Sequence, residues 1–148
     1  TCSPAEVARY RSRVSGPLLD RIDLHVEVPA VPFRDLNARG RGGESSRTVS
    51  ERVATAVEVQ TRRFKGAVTR FNGRMSGREV RAACPIPDDA TRLLEAAMER
   101  LGLSARALDR ILRVSRTIAD LDGSEALRTV HVSEAIQYRL LDRVVNEG

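Results

Sequence analysis

The second half of the chain is a series of amphipathic helix patterns, most of them bounded by a capping or terminating residue. Ser76-Gly77-Arg78-Glu79 predicts a capping box that opens a short helix, which ends before Cys84-Pro85. A second helix is predicted from Asp88 to Leu101, where Gly102 stops it. Ser104 caps a third helix that runs to about Leu121. These spacings predict helices joined by short connections.

The apolar residues of these helices recur at helical spacing and predict their buried sides. A last helix is predicted to begin at Thr129 or Ser133. The expected inward positions are Ala90, Leu94, Ala97 and Leu101, then Leu108, Ile111, Leu112, Ser115 and Ile118, then Val132, Ala135, Ile136 and Leu140. The chain has no Trp, two Tyr and three Phe, so its core must be aliphatic and rich in alanine. The prediction is a bundle of about four helices.

The first half is predicted to be mixed in secondary structure. A short polar helix is expected from Pro4 to Arg13. Leu24, Val26 and Val28 alternate with polar residues, which predicts one strand with a buried face. The segment 30–46 contains Arg39-Gly40-Arg41-Gly42-Gly43 and has no periodicity, so we expect a long exposed loop. Such Arg-Gly tracts also occur in nucleic-acid-binding proteins, but a plain flexible loop is the favoured interpretation.

Another helix is expected in the middle of the chain. Thr48-Val49-Ser50-Glu51 predicts a capping box, and the helix should reach about Phe64 with Val49, Val53, Val57 and Phe64 on its inner side. The polar connection 66–77 follows it. We place the boundary between two units there, at residues 1–65 and 66–148.

The chain carries a net charge of +5, and all but one of its 25 basic residues are arginine. A positive balance favours contact with nucleic acid or nucleotide phosphates. The arginines are mixed with acidic residues, however, and a composition bias accounts for most of them. Cys2 and Cys84 have no metal-ligand spacing, so no metal site is predicted. With no signal peptide and no apolar run of membrane length, a cytoplasmic setting is expected.

Three arginines are candidates for contact with phosphate. Arg106 falls in the first turn of its helix, where the helix dipole disfavours a cation unless an anion binds there. Arg21 stands between a Gly-Pro turn and the predicted strand, and Arg13 is a weaker candidate near the same turn. The alternatives are a solvated side chain for Arg106, and an ion pair with Asp20 or Asp23 for Arg21.

The sequence contains no loop that could hold those phosphates. The Gly-x-x-x-x-Gly-Lys-[Ser/Thr] pattern is missing, and the one lysine, Lys65, falls at a helix end. No nucleophile turn and no pair of carboxylates suggests catalysis. His25 and His131 have no partner at ligand spacing and are predicted to be structural or surface residues. The isolated chain is therefore predicted to be inactive as an ATPase.

Several blocks of the sequence resemble the magnesium-chelatase-like ComM/YifB family of AAA+ ATPases. The blocks, in chain order, are residues 10–28 with Arg13-Val14-Ser15-Gly16-Pro17-Leu18-Leu19-Asp20-Arg21, then residues 43–46, 101–107, 116–121 and 134–139. The resemblance covers essentially the whole chain. It implies a fold that is mainly α: a residual α/β piece of an AAA+ core with one strand, followed by a helical lid bundle.

The resemblance also implies roles for two arginines. Arg21 matches the arginine finger, which would reach the γ-phosphate of ATP in the neighbouring subunit. Arg106 matches the sensor 2 arginine, which would act on ATP bound by its own subunit. The Walker A loop and Walker B acids would lie upstream of Thr1, so the chain looks like the end of a longer protein.

For that longer protein the family implies ATP and Mg²⁺ as cofactors and a homo-oligomeric ring, expected to be a hexamer. It implies a DNA helicase that promotes branch migration during natural transformation. The first alternative is the ATPase subunit of magnesium chelatase, which Asp23 and residues 43–46 disfavour. The others are an ATP-independent helical nucleic-acid-binding module and a pure assembly domain.

Overall fold

The computed structural model describes residues 3–11, 13, 18, 21–26, 28–31 and 43–139. Within them it contains six α-helices and one 3-10 turn. The helices are α1 (Pro4–Arg11), α2 (Ser46–Arg63), α3 (Gly77–Ala83), α4 (Asp88–Leu101), α5 (Ala105–Leu121) and α6 (Thr129–Gln137), and the 3-10 turn is Asn72–Arg74. The mainly helical fold class is thus confirmed.

The ends of α3, α4 and α5 follow the predicted caps. Ser76 and Glu79 form the capping box of α3, in which each side chain accepts from the other residue's backbone N–H. Gly102 ends α4 at φ 62°, a left-handed conformation that favours glycine. The Ser104 hydroxyl accepts from the backbone N–H of Ala107 at 3.1 Å and so begins α5.

The core lies among α3, α4, α5 and α6, with α5 at its centre. α5 packs against α2, α3, α6 and the 3-10 turn, and α4 packs against α6. The apolar residues of this core are Met75, Val80, Cys84, Ala90, Leu94, Ala97, Leu101, Ile111, Leu112, Leu127, Val132, Ala135 and Ile136. The predicted stripes of α4 and α5 are confirmed, with Leu108 and Ile118 partly buried at the edge of the core. Leu140 lies outside the described residues.

The helix α6 begins with a cap that was not predicted from the sequence. The buried His131 accepts the backbone N–H of Arg128 on its Nδ1 at 3.1 Å, and its Nε2 lies 3.2 Å from Oδ2 of Asp122. The hydrogen bond with His131 lowers the pKa of the Asp122 carboxyl. His131 therefore has a structural role, which is one of the two roles predicted for it.

The predicted start of α2 is wrong. Ser45, not Thr48, is the cap, and its hydroxyl accepts from the Thr48 backbone N–H at 3.1 Å. Glu51 does not close a capping box but forms an exposed ion pair with Arg47 at 2.9 Å. The helix therefore begins at Ser46, three residues earlier than expected.

The predicted inner side of α2 is wrong for its three valines, although Phe64, the fourth predicted residue, is partly buried against the core. Val49, Val53 and Val57 are 38%, 48% and 38% exposed, whereas the buried residues of the helix are Ala56 and Gln60. The valines do share one side at helical spacing, as expected. That side is not covered by any residue that the structure describes. Only the carboxyl-terminal half of α2 has buried residues.

The predicted strand does not form in the described residues 21–26 and 28–31. A strand needs a hydrogen-bonded neighbour, and this segment instead contacts the end of α6. The backbone N–H of His25 donates to the Tyr138 carbonyl at 2.9 Å, and the Arg139 guanidinium donates to the Ile22 carbonyl. His25 is buried rather than on an exposed polar face, while Val28 is 82% exposed.

The loop predicted at 30–46 falls largely outside the described residues, which resume at Gly43. At its end, Ser46 already belongs to α2. The division at residues 65 and 66 stays a prediction, and α2, on its amino-terminal side, packs against α5 on the other. None of the helices that the structure describes has both the length and the apolar composition needed to cross a lipid bilayer.

Candidate functional site

Arg106 lies in the first turn of α5 and is exposed. The next residue, Ala107, is buried together with Ile111, so the packing of α5 fixes the turn that carries Arg106. No acidic residue lies in that first turn. Among the described residues, the Arg106 guanidinium has no hydrogen bond or ion pair. An anion at this end of α5 would meet an available guanidinium and the positive end of the helix dipole.

Arg110 connects this side of α5 to the segment that carries Arg21. It lies one helical turn after Arg106, so the two side chains are neighbours on the helix surface. The Arg110 guanidinium forms an ion pair with the Asp23 carboxylate. Together with the contacts of Ile22 and His25 to Arg139 and Tyr138, this ion pair holds residues 22–25 against α5 and the end of α6.

Arg21 is exposed at a turn beside this anchored segment. Its backbone N–H donates to the Leu18 carbonyl at 3.0 Å. Asp23 pairs with Arg110, so one of the two ion pairs considered for Arg21 does not form. Asp20 lies outside the described residues. The Arg21 guanidinium has no hydrogen bond or ion pair within the part of the chain that the structure describes.

Arg13, the third candidate, is exposed as well. Its backbone N–H donates to the Tyr10 carbonyl at 3.2 Å. Its side chain has no recorded contact with the described residues. The structure therefore brings Arg21 and Arg106 onto segments that the Asp23–Arg110 ion pair joins, and it records no such connection for Arg13.

The sequence analysis missed a buried polar cluster centred on Asp120. Both terminal nitrogens of Arg63 donate to its two carboxylate oxygens, at 2.5 and 2.7 Å. Arg116 Nε and Asn72 Nδ2 donate to the same carboxylate at 3.1 and 2.8 Å. The hydrogen bond to Asp120 raises the pKa of Arg63, because it stabilises the charged guanidinium. This cluster joins α2, the 3-10 turn and α5.

Arg116 extends the cluster to the end of α5. Its terminal nitrogens donate to the carbonyls of Glu125 and Ser124 at 2.9 and 2.6 Å. Arg116 and Asp120 are both 2% exposed, and they occupy positions on the buried stripe of α5. An arginine and an aspartate four residues apart on an apolar stripe were the signal that could have revealed the cluster. All of these contacts are internal, so the cluster is structural.

The other reactive groups do not form a site. Cys84 is buried, and burial raises the pKa of its thiol to about 11, so it stays protonated at neutral pH. No group of three or more metal-ligating side chains comes together in the described part of the chain. The exposed arginines are therefore the features that could act on a ligand.

Comparison with known protein families gives two matches. The family described as magnesium chelatase, subunit ChlI C-terminal, matches residues 43–139, and the family described as magnesium chelatase, subunit ChlI, matches residues 1–36. The first match covers most of the chain and includes α2 to α6.

Three relatives match nearly the whole chain. The uncharacterized protein YifB of Salmonella typhimurium is 43% identical over 144 residues, which is 97% of this chain and 28% of the relative. The competence protein ComM of Haemophilus influenzae is 41% identical over 145 residues, which is 98% of this chain and 28% of the relative. YifB of Escherichia coli is 40% identical over 144 residues, with shares of 97% and 28%. The chain therefore spans less than a third of the length of these relatives.

Proposed function

Because this chain belongs to the magnesium chelatase ChlI C-terminal family of AAA+ proteins, with ComM and YifB among its relatives, we propose that it is the lid end of a ring-forming DNA motor. The motor hydrolyses ATP and moves or remodels DNA strands as a helicase. One relative is named a competence protein, which supports a role in handling DNA during its uptake. The assembly is a homo-oligomeric ring, with six subunits as the expected number.

The observation that carries this proposal is the placement of Arg106. A cation in the first turn of α5 interacts unfavourably with the helix dipole, which costs a few tenths of a kcal/mol or more of helix stability. No carboxylate within the described residues compensates it. A nucleotide phosphate would compensate the charge of Arg106. A sensor 2 arginine contacts such a phosphate. Arg106 then binds ATP held by its own subunit and positions the lid on it.

Arg21 is the proposed arginine finger. Its exposure leaves the side chain available to a neighbouring subunit, and the Asp23–Arg110 ion pair steadies the segment next to it. A guanidinium suits this role because it stays charged and its planar fork binds phosphate oxygens in pairs. The finger stabilises the charge that develops on the γ-phosphate in the transition state.

The two exposed guanidinium groups fit the phosphates of ATP, whose γ-phosphoryl group is what the reaction transfers to water. Mg²⁺ would be held by residues of the longer protein, because the described residues offer no cluster of ligands for it. Arg21 and Arg106 thus act on a nucleotide whose binding loop lies elsewhere. Arg13 is a weaker candidate for the same phosphates.

The test is a pair of variants in the full-length protein. Arg21→Ala should lower ATP hydrolysis by about a thousandfold or more while leaving ATP binding largely intact. Arg106→Ala should weaken both hydrolysis and nucleotide binding. Arg100→Ala is the matched control, because Arg100 is also exposed but lies in the last turn of α4. Normal hydrolysis by Arg21→Ala would refute the finger.

The ATPase subunit of magnesium chelatase is the second candidate, which the matched family descriptions favour. Both machines use the same two arginines, so the variants above do not separate them. Stimulation of ATP hydrolysis by DNA separates the two candidates, because a motor that inserts a metal ion does not act on DNA. A rate of ATP hydrolysis that DNA does not change would support the chelatase assignment.

A further inference from the structure

The positive charge of the chain is concentrated in one segment. Residues 61–83 hold seven of the 25 basic residues but only one of the 20 acidic ones, so their net charge is +6. The rest of the chain therefore carries a net charge of −1 against +5 for the whole. A uniform preference for arginine would spread the excess along the chain. This concentration instead marks a surface suited to a polyanion.

The loop between α2 and α3, residues 64–76, is held in place from inside. Asn72 is fully buried, and its backbone N–H donates to Gln60 Oε1 at 2.9 Å while its side chain joins the Asp120 cluster. Met75 is 1% exposed and packs in the core. These two buried residues fix the backbone of the second half of the loop, where Phe71 and Arg74 lie. A fixed loop loses less conformational entropy when it binds a ligand.

Residues next to these anchors face outward. Phe71 is 48% exposed, and Arg70 and Arg74 on either side of it are exposed too. Lys65 is exposed at the start of the loop. Their charged groups have no hydrogen bond or ion pair with any residue that the structure describes. An exposed aromatic ring beside cations that have no partner offers a stacking surface and phosphate contacts in one place.

Glu79, the one acidic residue of the segment 61–83, does not neutralise these cations. Glu79 is engaged by the backbone N–H and the hydroxyl of Ser76, both at 2.7 Å, and by the Thr69 hydroxyl. These contacts close the loop and direct the carboxylate toward the start of α3. The cations of the loop stay available.

We propose that the loop 64–76 binds single-stranded DNA, with a base stacked on Phe71 and the flanking phosphates held by Arg70 and Arg74. Proteins that bind single strands without sequence preference combine aromatic platforms with basic residues along the backbone. Duplex DNA offers the phosphates but keeps its bases stacked inside, so the exposed ring favours an unpaired strand. The choice of DNA rests on the proposed motor function, whereas binding by the loop does not require ATP.

The proposal is tested on the 148-residue chain by fluorescence anisotropy. The probe is a fluorescein-labelled thymidine oligonucleotide of about 20 residues, titrated between about 50 and 200 mM salt. Phe71→Ala should weaken binding by about five- to a hundredfold without changing the salt dependence. Arg70→Gln with Arg74→Gln should weaken it about tenfold and make the log–log salt slope shallower by about 1.4, or 0.7 per lost phosphate contact.

The matched control is the double variant Arg92→Gln with Arg100→Gln, which removes the same charge from exposed positions on α4. It should change the affinity by less than about twofold, because both arginines lie outside the proposed contact and salt screens exposed charges. An equal loss in this control would overturn the proposal. Unchanged thermal unfolding of all variants, followed by circular dichroism, confirms that each one folds.

Two further results would also overturn the proposal. One is equal binding of a duplex of the same length with no effect of Phe71→Ala. The other is binding to vesicles of phosphatidylserine and phosphatidylcholine without binding to the oligonucleotide, which would make the loop a lipid-contact surface. The ATPase variants of Arg21 and Arg106 are independent of these outcomes. If the loop does not bind DNA, the proposed motor function is unaffected. If Arg21 is not an arginine finger, the proposed DNA contact of the loop is unaffected.

Discussion

Asp120 is the residue on which the polar contact between α2 and α5 depends. It is buried, and it accepts hydrogen bonds from Arg63, Arg116 and Asn72. Asp120→Asn removes the negative charge and leaves two guanidinium groups, one of them fully buried, without a counterion. Loss of one partner from such a cluster costs about 3–5 kcal/mol. Urea unfolding should therefore show a free energy of unfolding lowered by that amount.

A matched control for this variant is Glu51→Gln, which breaks the ion pair between Arg47 and Glu51 on the exposed side of α2. Exposed pairs four residues apart on a helix contribute about 0.3–0.5 kcal/mol. A cost for Asp120→Asn no larger than that of the control would contradict a structural role for the cluster.

At the level of single residues, the sequence predicted exposure better than it predicted polar burial. Arg21 and Arg106 are exposed, as their proposed roles require. Arg116 and Asp120 lie on the stripe that also carries Leu112, but charged residues were assumed to be on the surface. Their burial depends on Arg63 and Asn72, which come from distant parts of the chain. No local pattern specifies such a contact, since it exists only after the helices pack.

Helix boundaries were predictable where one cap had no competitor. α4 ends and α5 begins where their caps indicate, because Gly102 and Ser104 leave few alternatives. α2 uses Ser45 as its cap instead of the predicted Thr48, because a serine three residues earlier caps a helix as well as a threonine does. Its valine side was also misjudged, because periodicity identifies an apolar side but not the element that covers it.

The capping box of α3 gives a prediction at this scale. Hydrogen bonds from the Ser76 backbone and hydroxyl, and from the Thr69 hydroxyl, lower the pKa of Glu79. The folded-state pKa is thus below the unfolded value of about 4.3, so this contribution to stability is present above that pH and is lost as the pH falls through the folded-state pKa. Glu79→Gln keeps an acceptor but cannot titrate.

The measurement is urea unfolding as a function of pH on the acid side. The stability of Glu79→Gln should fall less steeply below about pH 4.5 than that of the parent chain. Glu95→Gln is the control, since Glu95 is exposed on α4 and has no hydrogen bond among the described residues. A Glu79→Gln variant with the acid slope of the parent would show that the capping carboxylate contributes nothing.

Over the whole molecule, the exposed features separate by chemistry. The arginines proposed to act on ATP belong to segments joined by the Asp23–Arg110 ion pair, near the start of α5. The basic loop 64–76 is anchored near the other end of α5, through Asn72 and Asp120. One helix therefore connects the proposed nucleotide contact with the proposed DNA contact. This arrangement suits a motor in which the nucleotide state must alter the grip on DNA.

The proposed ring gives the sharpest prediction, because the proposed arginine finger acts on the next subunit. Full-length Arg21→Ala subunits keep their nucleotide-binding loop, and subunits with the lysine of that loop replaced keep Arg21. Each variant alone should be inactive. In an equal mixture, about a quarter of the interfaces pair an intact loop with an intact finger if subunits assemble at random around the ring. ATP hydrolysis should therefore recover to about a quarter of the parent rate, with independent sites. A finger that acted within its own subunit would give no recovery at any mixing ratio, because every subunit would still lack one of the two groups.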